Sequence, residues 1–417
     1  MAKKLFIKHA SELVTCAGSF PKIGNAMNDI GIIPDGALII ENDTIIAAGT
    51  TAELQQKYDG EDMTVIDATG KCVLPGFIDA HTHLVFAGNR SEEFSWRLKG
   101  MRYLDIMERG GGIMNTVRAT RKAAKTELLE LGQSRLKAML AMGVTTVEGK
   151  SGYGLDLITE IKQLEVMQEL NKNQPVEIIP TFMGAHAVLP EYKGRSGEFI
   201  DYLITEVLPV VAESKLAAFC DIFCEQGVFS VDESRRLLLA AQKLGLKSKL
   251  HADEIVQLGG AELAAEIGAV SAEHLLHISD QGIERMAETK TVGVLLPATA
   301  FSLREQFAPA RKMIDAGVPV ALATDFNPGS CYTSSIPLVI ALAALSMHMT
   351  PAEIITALTA NAAAAVGAAE RIGSLEAGKQ ADIIILEEPS HLFLPYRVGM
   401  NLVETVIKKG NVVWQNK

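Results

Sequence analysis

The sequence predicts an α/β protein, a (β/α)8 TIM barrel with a small composite β-sandwich domain built from the two ends of the chain. Three observations lead there. From about residue 71, apolar strand-like runs alternate with helical stretches, and eight such strands follow one another up to Thr324. Regular βα alternation of this kind argues a closed parallel sheet. No Gly-x-Gly-x-x-Gly run follows a strand and opens a helix, which counts against an open dinucleotide-binding sheet. Short β segments lie at both ends, outside the alternating region.

Taken in order, residues 1–70 read as the first part of the small domain. Ala37–Glu41, a turn at Asn42-Asp43 and Thr44–Gly49 form a hairpin. Thr51–Tyr58 is the one helical stretch there, and Thr64–Ala68 is a further strand. Residues 71–370 read as the barrel. Its strands are expected at 72–84, 144–148, 176–182, 218–223, 247–251, 269–274, 292–296 and 318–324. Helices fall between them at 134–142, 157–170, 199–211, 231–244, 257–267, 279–289 and 311–316. Gly110-Gly111-Gly112, in the long connection after the first strand, reads as a flexible loop over the barrel mouth. Residues 333–369 are helical, with Thr350-Pro351-Ala352-Glu353 supplying an N-cap, a Pro at N1 and a Glu at N3. Residues 371–417 return to β structure at 381–386, 402–407 and 411–414 and complete the small domain.

The charge balance excludes several classes of function. The 417 residues carry a net charge of -11 and no long basic run, so binding of nucleic acid by phosphate neutralisation is not expected. The five cysteines are too few and too scattered for a disulfide framework, and Cys220 and Cys224 sit in a run that reads as a buried strand. The N-terminus lacks the apolar region of a signal peptide, and the longest apolar run, Ile336–Met347, is too short to span a bilayer. A cytoplasmic protein without membrane contact is the expectation.

In a barrel the C-terminal strand ends share one mouth, where active sites sit. Leu74-Pro75-Gly76-Phe77-Ile78-Asp79-Ala80-His81-Thr82-His83 closes the first strand. Alternate strand residues face the same way, so His81 and His83 point together, half of a metal site. The next strands end near Glu148, Lys150 and Tyr153, at His186, and at Cys224-Glu225. The last four end at His251-Ala252-Asp253-Glu254, Glu273-His274, Pro297-Ala298-Thr299 and Thr324-Asp325-Phe326-Asn327. Six of the nine histidines, all but His9, His348 and His391, fall in or close after these stretches. Each residue taken alone reads as structural; imidazoles and carboxylates gathered at one mouth suit a metal.

This arrangement resembles the amidohydrolase superfamily. The stretch 74–83 is similar to its first-strand signature, and Ile372-Gly373-Ser374-Leu375-Glu376-Ala377-Gly378-Lys379-Gln380-Ala381-Asp382 to its return segment into the composite β domain. The resemblance implies a metal, zinc or iron, held by His81, His83, His251 and Asp325. The fourth strand offers no Lys to bridge two ions, which favours one metal; Glu225 at that strand end leaves a second ion open. Glu254 and His274 match the branch that uses a strand-5 Glu and a strand-6 His.

Six blocks narrow the resemblance: 86–90, 110–113, 148–154, 182–186, 251–254 and 323–330. They resemble the branch that hydrolyses 4-imidazolone-5-propanoate to N-formimidoyl-L-glutamate in histidine breakdown, and that branch implies a homodimer. A metal acidifies water and polarises the carbonyl of a cyclic amide. On this resemblance Asp325 can be both ligand and proton acceptor, His274 can orient or deprotonate the water, and Glu254 can contact the ring nitrogen and pass the proton on. Arg90 is the expected clamp for the propionate, as a guanidinium pairs with a carboxylate through two hydrogen bonds; a surface pair with Glu92 or Glu93 is the plain alternative. Tyr153 and His186 offer neutral hydrogen-bonding groups to the ring. Asn327, Gly329 and Ser330 form a turn whose N–H groups could hold substrate or product, or serve only as a strand-to-helix turn. The rival readings are a deaminase of a nucleobase-like ring, which needs no carboxylate clamp, and a catalytically inactive binding scaffold.

Overall fold

The computed structural model describes residues 3–101, 105 and 109–416. Five strands open the chain: β1 (Lys4–Val14), β2 (Ile32–Glu41), β3 (Thr44–Thr50), β4 (Thr64–Asp67) and β5 (Cys72–Pro75). Eight follow with helices between them: β6 (Phe77–Asp79), β7 (Val144–Lys150), β8 (Glu177–Ala185), β9 (Phe219–Cys224), β10 (Lys247–Ala252), β11 (Ser271–His274), β12 (Val292–Leu295) and β13 (Val320–Leu322). Three close the chain: β14 (Ile383–Leu386), β15 (Val403–Lys408) and β16 (Asn411–Gln415).

Strands β6 to β13 pair in sequence order and in parallel, the (β/α)8 barrel. The ring closes just beyond the strand ends. Asp325 N donates to His81 O at 3.0 Å and His83 N to Phe326 O at 2.9 Å. The Asp79 carboxylate clamps the same seam, accepting from Thr324 N at 2.9 Å and Thr324 Oγ1 at 2.6 Å.

The two chain ends form one mixed sheet of order β16-β15-β14-β5-β1-β2-β3, with β4 alongside β1. Leu5, Ile7, Leu38 and Ile40 share an apolar cluster with Ile383, Ile385 and Ile407, so residues far apart in sequence bury one another. On the other side Phe6, Ala37 and Ile39 pack under Leu54 of the helix Thr51–Lys57.

Two expectations need correction. Residues 72–75, expected in the first barrel strand, pair instead with β1 and β14 of the small sheet. The chain changes sheets at Gly76, where a Cβ would lie 2.3 Å from Thr145 Cγ2; only glycine lets the backbone pass β7 so closely. The glycine run at 110–112 lies in turn and loop backbone, as expected, and Gly112 caps the helix Ile113–Lys122, its N–H donating to Glu93 at 2.9 Å. The long helical stretch 333–369 is three helices, Ile336–Leu345, Pro351–Leu358 and Ala360–Ala365. The capping box expected at Thr350 and Glu353 is present.

The inside of the barrel departs from the usual layers of branched apolar side chains. Glu148 and Lys150 on β7, Asp221 on β9, Lys249 on β10 and Glu273 on β11 are all fully buried, each at 0% exposure. Lys150 Nζ lies 3.0 Å from Glu148, 2.6 Å from Asp221 and 3.1 Å from Glu273. Lys249 Nζ lies 3.2 Å from Glu148 and 3.2 Å from Glu273. Buried charges persist only when paired, and here each ammonium meets at least two carboxylates.

Candidate metal centre and active site

Above this ionic floor stand the histidines. His81 and His83 lie past the end of β6, where the seam bonds to residues 325 and 326 keep the backbone extended. Both are buried, with ring centroids 5.3 Å apart. His251 is the penultimate residue of β10, its ring 4.6 Å from that of His81. The ligand atoms of His81, His83 and His251 lie within 4.8 Å of one another, as do those of His81, His274 and Asp325. Asp325 Oδ1 is 3.5 Å from His81 Nε2 and 3.8 Å from His83 Nε2.

The second nitrogens of two of these rings are already engaged. His81 Nδ1 is hydrogen-bonded to Glu273, and His251 Nδ1 lies 3.1 Å from both oxygens of Asp221. Carboxylates in this place orient metal-binding imidazoles. His81 Nε2 is left buried without a hydrogen-bond partner. A buried polar atom in that position calls for a partner, and a cation held also by His83, His251 and Asp325 supplies one. Burial and the Lys150 ammonium oppose charge on His81, yet Glu273 and Asp325 outweigh them and raise its pKa to about 9. Burial alone would raise the Asp325 carboxyl, but His81, His274 and Thr299 hold it down at about 2. The pocket favours positive charge, and the donor set fits a metal ion.

A third cluster, His81 with Glu148 and Glu273, also has metal-ligand spacing. Lys150 and Lys249 already sit against both carboxylates. Glu225 is likewise committed: it accepts from Ile255 N at 2.8 Å and from Gln226 N at 2.8 Å, anchoring the loop after β10.

That loop places Glu254. Asp253, with φ 50 in the left-handed region, accepts from Leu258 N, Gly259 N and Ala261 N at 2.8 to 2.9 Å. Glu254 is thus held between two anchored neighbours, with its side chain 13% exposed and Oε1 3.4 Å from His274 Nδ1. Burial first, then the Asp325 and Glu225 carboxylates, push its pKa up to about 8. His274 (φ 71) and Asp325 (φ 52) also occupy the left-handed region, strain that tertiary contacts must hold. For Asp325 these are the Thr299 hydroxyl, 2.7 Å from Oδ2, and the Asn327 amide, 2.8 Å from its carbonyl.

Glu160 fixes the other wall, accepting from Gly152 N, Gly154 N and Leu155 N at 2.8 to 3.0 Å. Between them Tyr153 is buried, its ring 5.7 Å from His83 and 5.3 Å from His186. Burial raises the Tyr153 hydroxyl and Arg90 opposes it. His186 stacks on His83 at 4.8 Å and has Nδ1 3.1 Å from Gly152 O; burial lowers its pKa to about 3, leaving it neutral.

Arg90 leans on the 327–330 turn, with Nε 3.5 Å from Pro328 O. Glu93, one of its plain alternatives, is engaged by Gly112 N and Asn115 instead. At the turn, the plainer of its two readings fits the hydrogen bonds. Gly329 N and Ser330 N each donate at 2.8 Å to Asn327 Oδ1, so these N–H groups close the turn and are not turned toward a ligand.

Comparison with known proteins matches this frame. The sequence model described as "Amidohydrolase family" matches residues 64–102 and 99–414. The chain belongs to the amidohydrolase family. The imidazolonepropionase of Clostridium tetani (strain Massachusetts / E88) is 57% identical over 411 residues, covering 99% of this chain and 98% of its own. The imidazolonepropionase of Parabacteroides distasonis is 56% identical over 409 residues, covering 98% of each. Among solved structures, an adenosine deaminase from Xanthomonas campestris with bound zinc has a TM-score of 0.72 at 20% identity, over 98% of this chain and 92% of its own. Escherichia coli guanine deaminase has a TM-score of 0.73 at 15% identity over the full length of both chains. At those identities the structures share the amidohydrolase fold alone.

The sequence alone did not single out Asp221 and Lys249 beside this site, and it showed Glu148, Lys150, Glu273 and Thr299 only as strand-end residues. A signal was present: charged residues inside otherwise apolar strands, such as Asp221 in Phe219–Cys224, have no reason to be there unless they face partners inside the barrel.

Proposed function

We propose that this amidohydrolase opens the ring of 4-imidazolone-5-propanoate to N-formimidoyl-L-glutamate, a step of histidine degradation. The carrying observation is the full-length relationship, above 50% identity, to several imidazolonepropionases. The arginine at the mouth fits it: Arg90, beside Tyr153, suits a substrate that ends in a propionate.

His81, His83, His251 and Asp325 would hold one zinc or iron ion, since three imidazoles and a carboxylate accept either. A bound ion would polarise the ring carbonyl and acidify the attacking water. The chain's own groups handle the protons. Asp325, ionised at neutral pH, accepts the first proton from water. His274, neutral because burial lowers its pKa, sits beside Glu254 and orients the water. Water oxygen bonds to the ring carbonyl carbon, and the bond from that carbon to the ring nitrogen breaks. Glu254, protonated up to about pH 8, donates to the leaving nitrogen and recovers a proton from Asp325. Arg90 holds the propionate, and Tyr153 and His186 the ring. Asn327, Gly329 and Ser330 serve by shaping the seat of Arg90 and of Asp325.

Turnover by a cytoplasmic homodimer completes the proposal; Leu392, Tyr396, Val398 and Met400 are exposed apolar residues within one short segment. Light scattering of the purified protein tests the dimer. The function is tested by assaying ring opening with and without a chelator: loss on chelation and recovery with zinc or iron are expected, and an undiminished metal-free rate overturns the mechanism.

A further inference from the structure

Two lysines are wholly buried beneath the histidines, and the chemistry above uses neither. Lys249, on β10 two residues before His251, reaches only one of the two carboxylates that orient ligand imidazoles. Its Nζ is 3.2 Å from Glu273 Oε1 and 3.2 Å from Glu148 Oε2. Ser271 Oγ donates to the same Glu273 Oε1 at 2.5 Å. The opposite oxygen, Oε2, receives His81 Nδ1 and lies 3.1 Å from Lys150 Nζ. Lys150 also binds Asp221, the partner of His251, at 2.6 Å. The two lysines therefore divide the work: Lys150 touches both carboxylates, Lys249 the Glu273 arm alone.

We propose that Lys249 is a positioning residue of the metal centre: by pinning Glu273 Oε1 it turns Oε2 to His81 Nδ1 and so presents His81 Nε2 to the ion. The inference rests on the metal-dependent reading above. A glutamate carboxylate rotates freely about its last bond unless both oxygens are held. An ammonium is the strong restraint, through charge-assisted hydrogen bonds. A ligand histidine whose outer nitrogen loses its fixed partner binds metal more weakly, typically by about 10–100-fold.

Removing Lys249 alone strands a buried carboxylate and costs stability. The main variant is therefore Lys249→Met with Glu148→Gln, which deletes one charge of each sign and leaves Lys150 between Asp221 and Glu273. Ser271→Ala is the second variant; it removes the other restraint on Oε1 with no change of charge. Full-length proteins are stripped of metal, checked by circular dichroism and thermal melting, and titrated with Co(II) against a chelating competitor while the visible spectrum is recorded. The expected result is a folded double variant that binds Co(II) about 10–100-fold more weakly, with an altered spectrum, and a Ser271→Ala protein weakened by a smaller factor in the same direction. A folded double variant with wild-type affinity and spectrum overturns the proposal. If the double variant does not fold, Ser271→Ala decides: unchanged affinity and spectrum overturn the proposal, a weakened and altered site supports it. Failure of the wild-type protein to take up Co(II) at all overturns the metal-dependent reading itself, a distinct outcome.

Discussion

The guanidinium of Arg90 fills the space that Gly329 leaves by having no side chain: a Cβ at residue 329 would stand 1.1 Å from Arg90 Nη2 and 2.3 Å from its Cζ. The two residues are far apart in sequence, and neither position is intelligible without the other. Gly329→Ala must evict the guanidinium. A charge-assisted contact is worth about 1.5–3 kcal/mol, so Gly329→Ala and Arg90→Gln are both expected to raise KM for imidazolone propionate by roughly 10–100-fold. Metal content stays unchanged in both. An unaltered KM in Arg90→Gln would remove Arg90 from the carboxylate-binding role.

Thr299 Oγ1 lies 2.7 Å from Asp325 Oδ2, whereas His81 and His83 approach the other oxygen, Oδ1. Thr299→Val keeps the shape and deletes that donor. A reduction of kcat by about tenfold with little change in KM is expected, from the loss of roughly one hydrogen bond to a charged group. Asp325→Asn is expected to lower kcat by about 10²–10⁴-fold, as it removes the proposed proton acceptor. Steady-state kinetics on metal-loaded proteins checks both.

Glu254 carries a pKa raised to about 8. A carboxyl with a raised value keeps its proton below that pH and loses it as the pH rises. As the proposed donor to the leaving nitrogen it is competent on the acid side, so kcat/KM should fall along an alkaline limb at or below about pH 8, since a nearby cation can only lower the value. In Glu254→Gln the residual rate should lack this limb. A limb that persists unchanged in Glu254→Gln would assign it to another group.

Burial lowers the pKa of His83, His186, His251 and His274, to about 3 for His186. Their stabilising contribution is present above the unfolded value of about 6.5 and is lost as the pH falls below it. His81, raised to about 9, works in the other sense: its contribution is full below about 6.5 and lost as the pH rises through 9. Metal-stripped protein should therefore unfold at lower urea in pH 5 than in pH 7, and His186→Asn should narrow that difference. Urea midpoints at the two pH values, with the m-value held constant, provide the measurement.

The barrel was legible because its strands and helices repeat with clear periods, and each strand end carried its polar residue in the local sequence. His81-x-His83 could be read as a pair because extended backbone alternates. The switch of sheets at Gly76 was not legible, because Val73 and Ile78 are equally apolar and periodicity does not tell which sheet a strand joins. The closed turn at 327–330 was half legible: Asn327 announced a turn, but whether its Oδ1 would capture the N–H groups of Gly329 and Ser330 depended on a side-chain rotamer.

By itself the sequence determined the alternation that makes the barrel, the two strand-forming ends, and the kinds of groups brought to the mouth. These are local properties, set by side-chain chemistry within a few residues. Only the tertiary structure decided which groups meet. It set His81 against Glu273 and His251 against Asp221, put Lys150 and Lys249 where a second ion would otherwise find carboxylates, and seated Arg90 on Gly329. Such pairings join residues on different strands, and their cost or benefit exists only once water is excluded from between them.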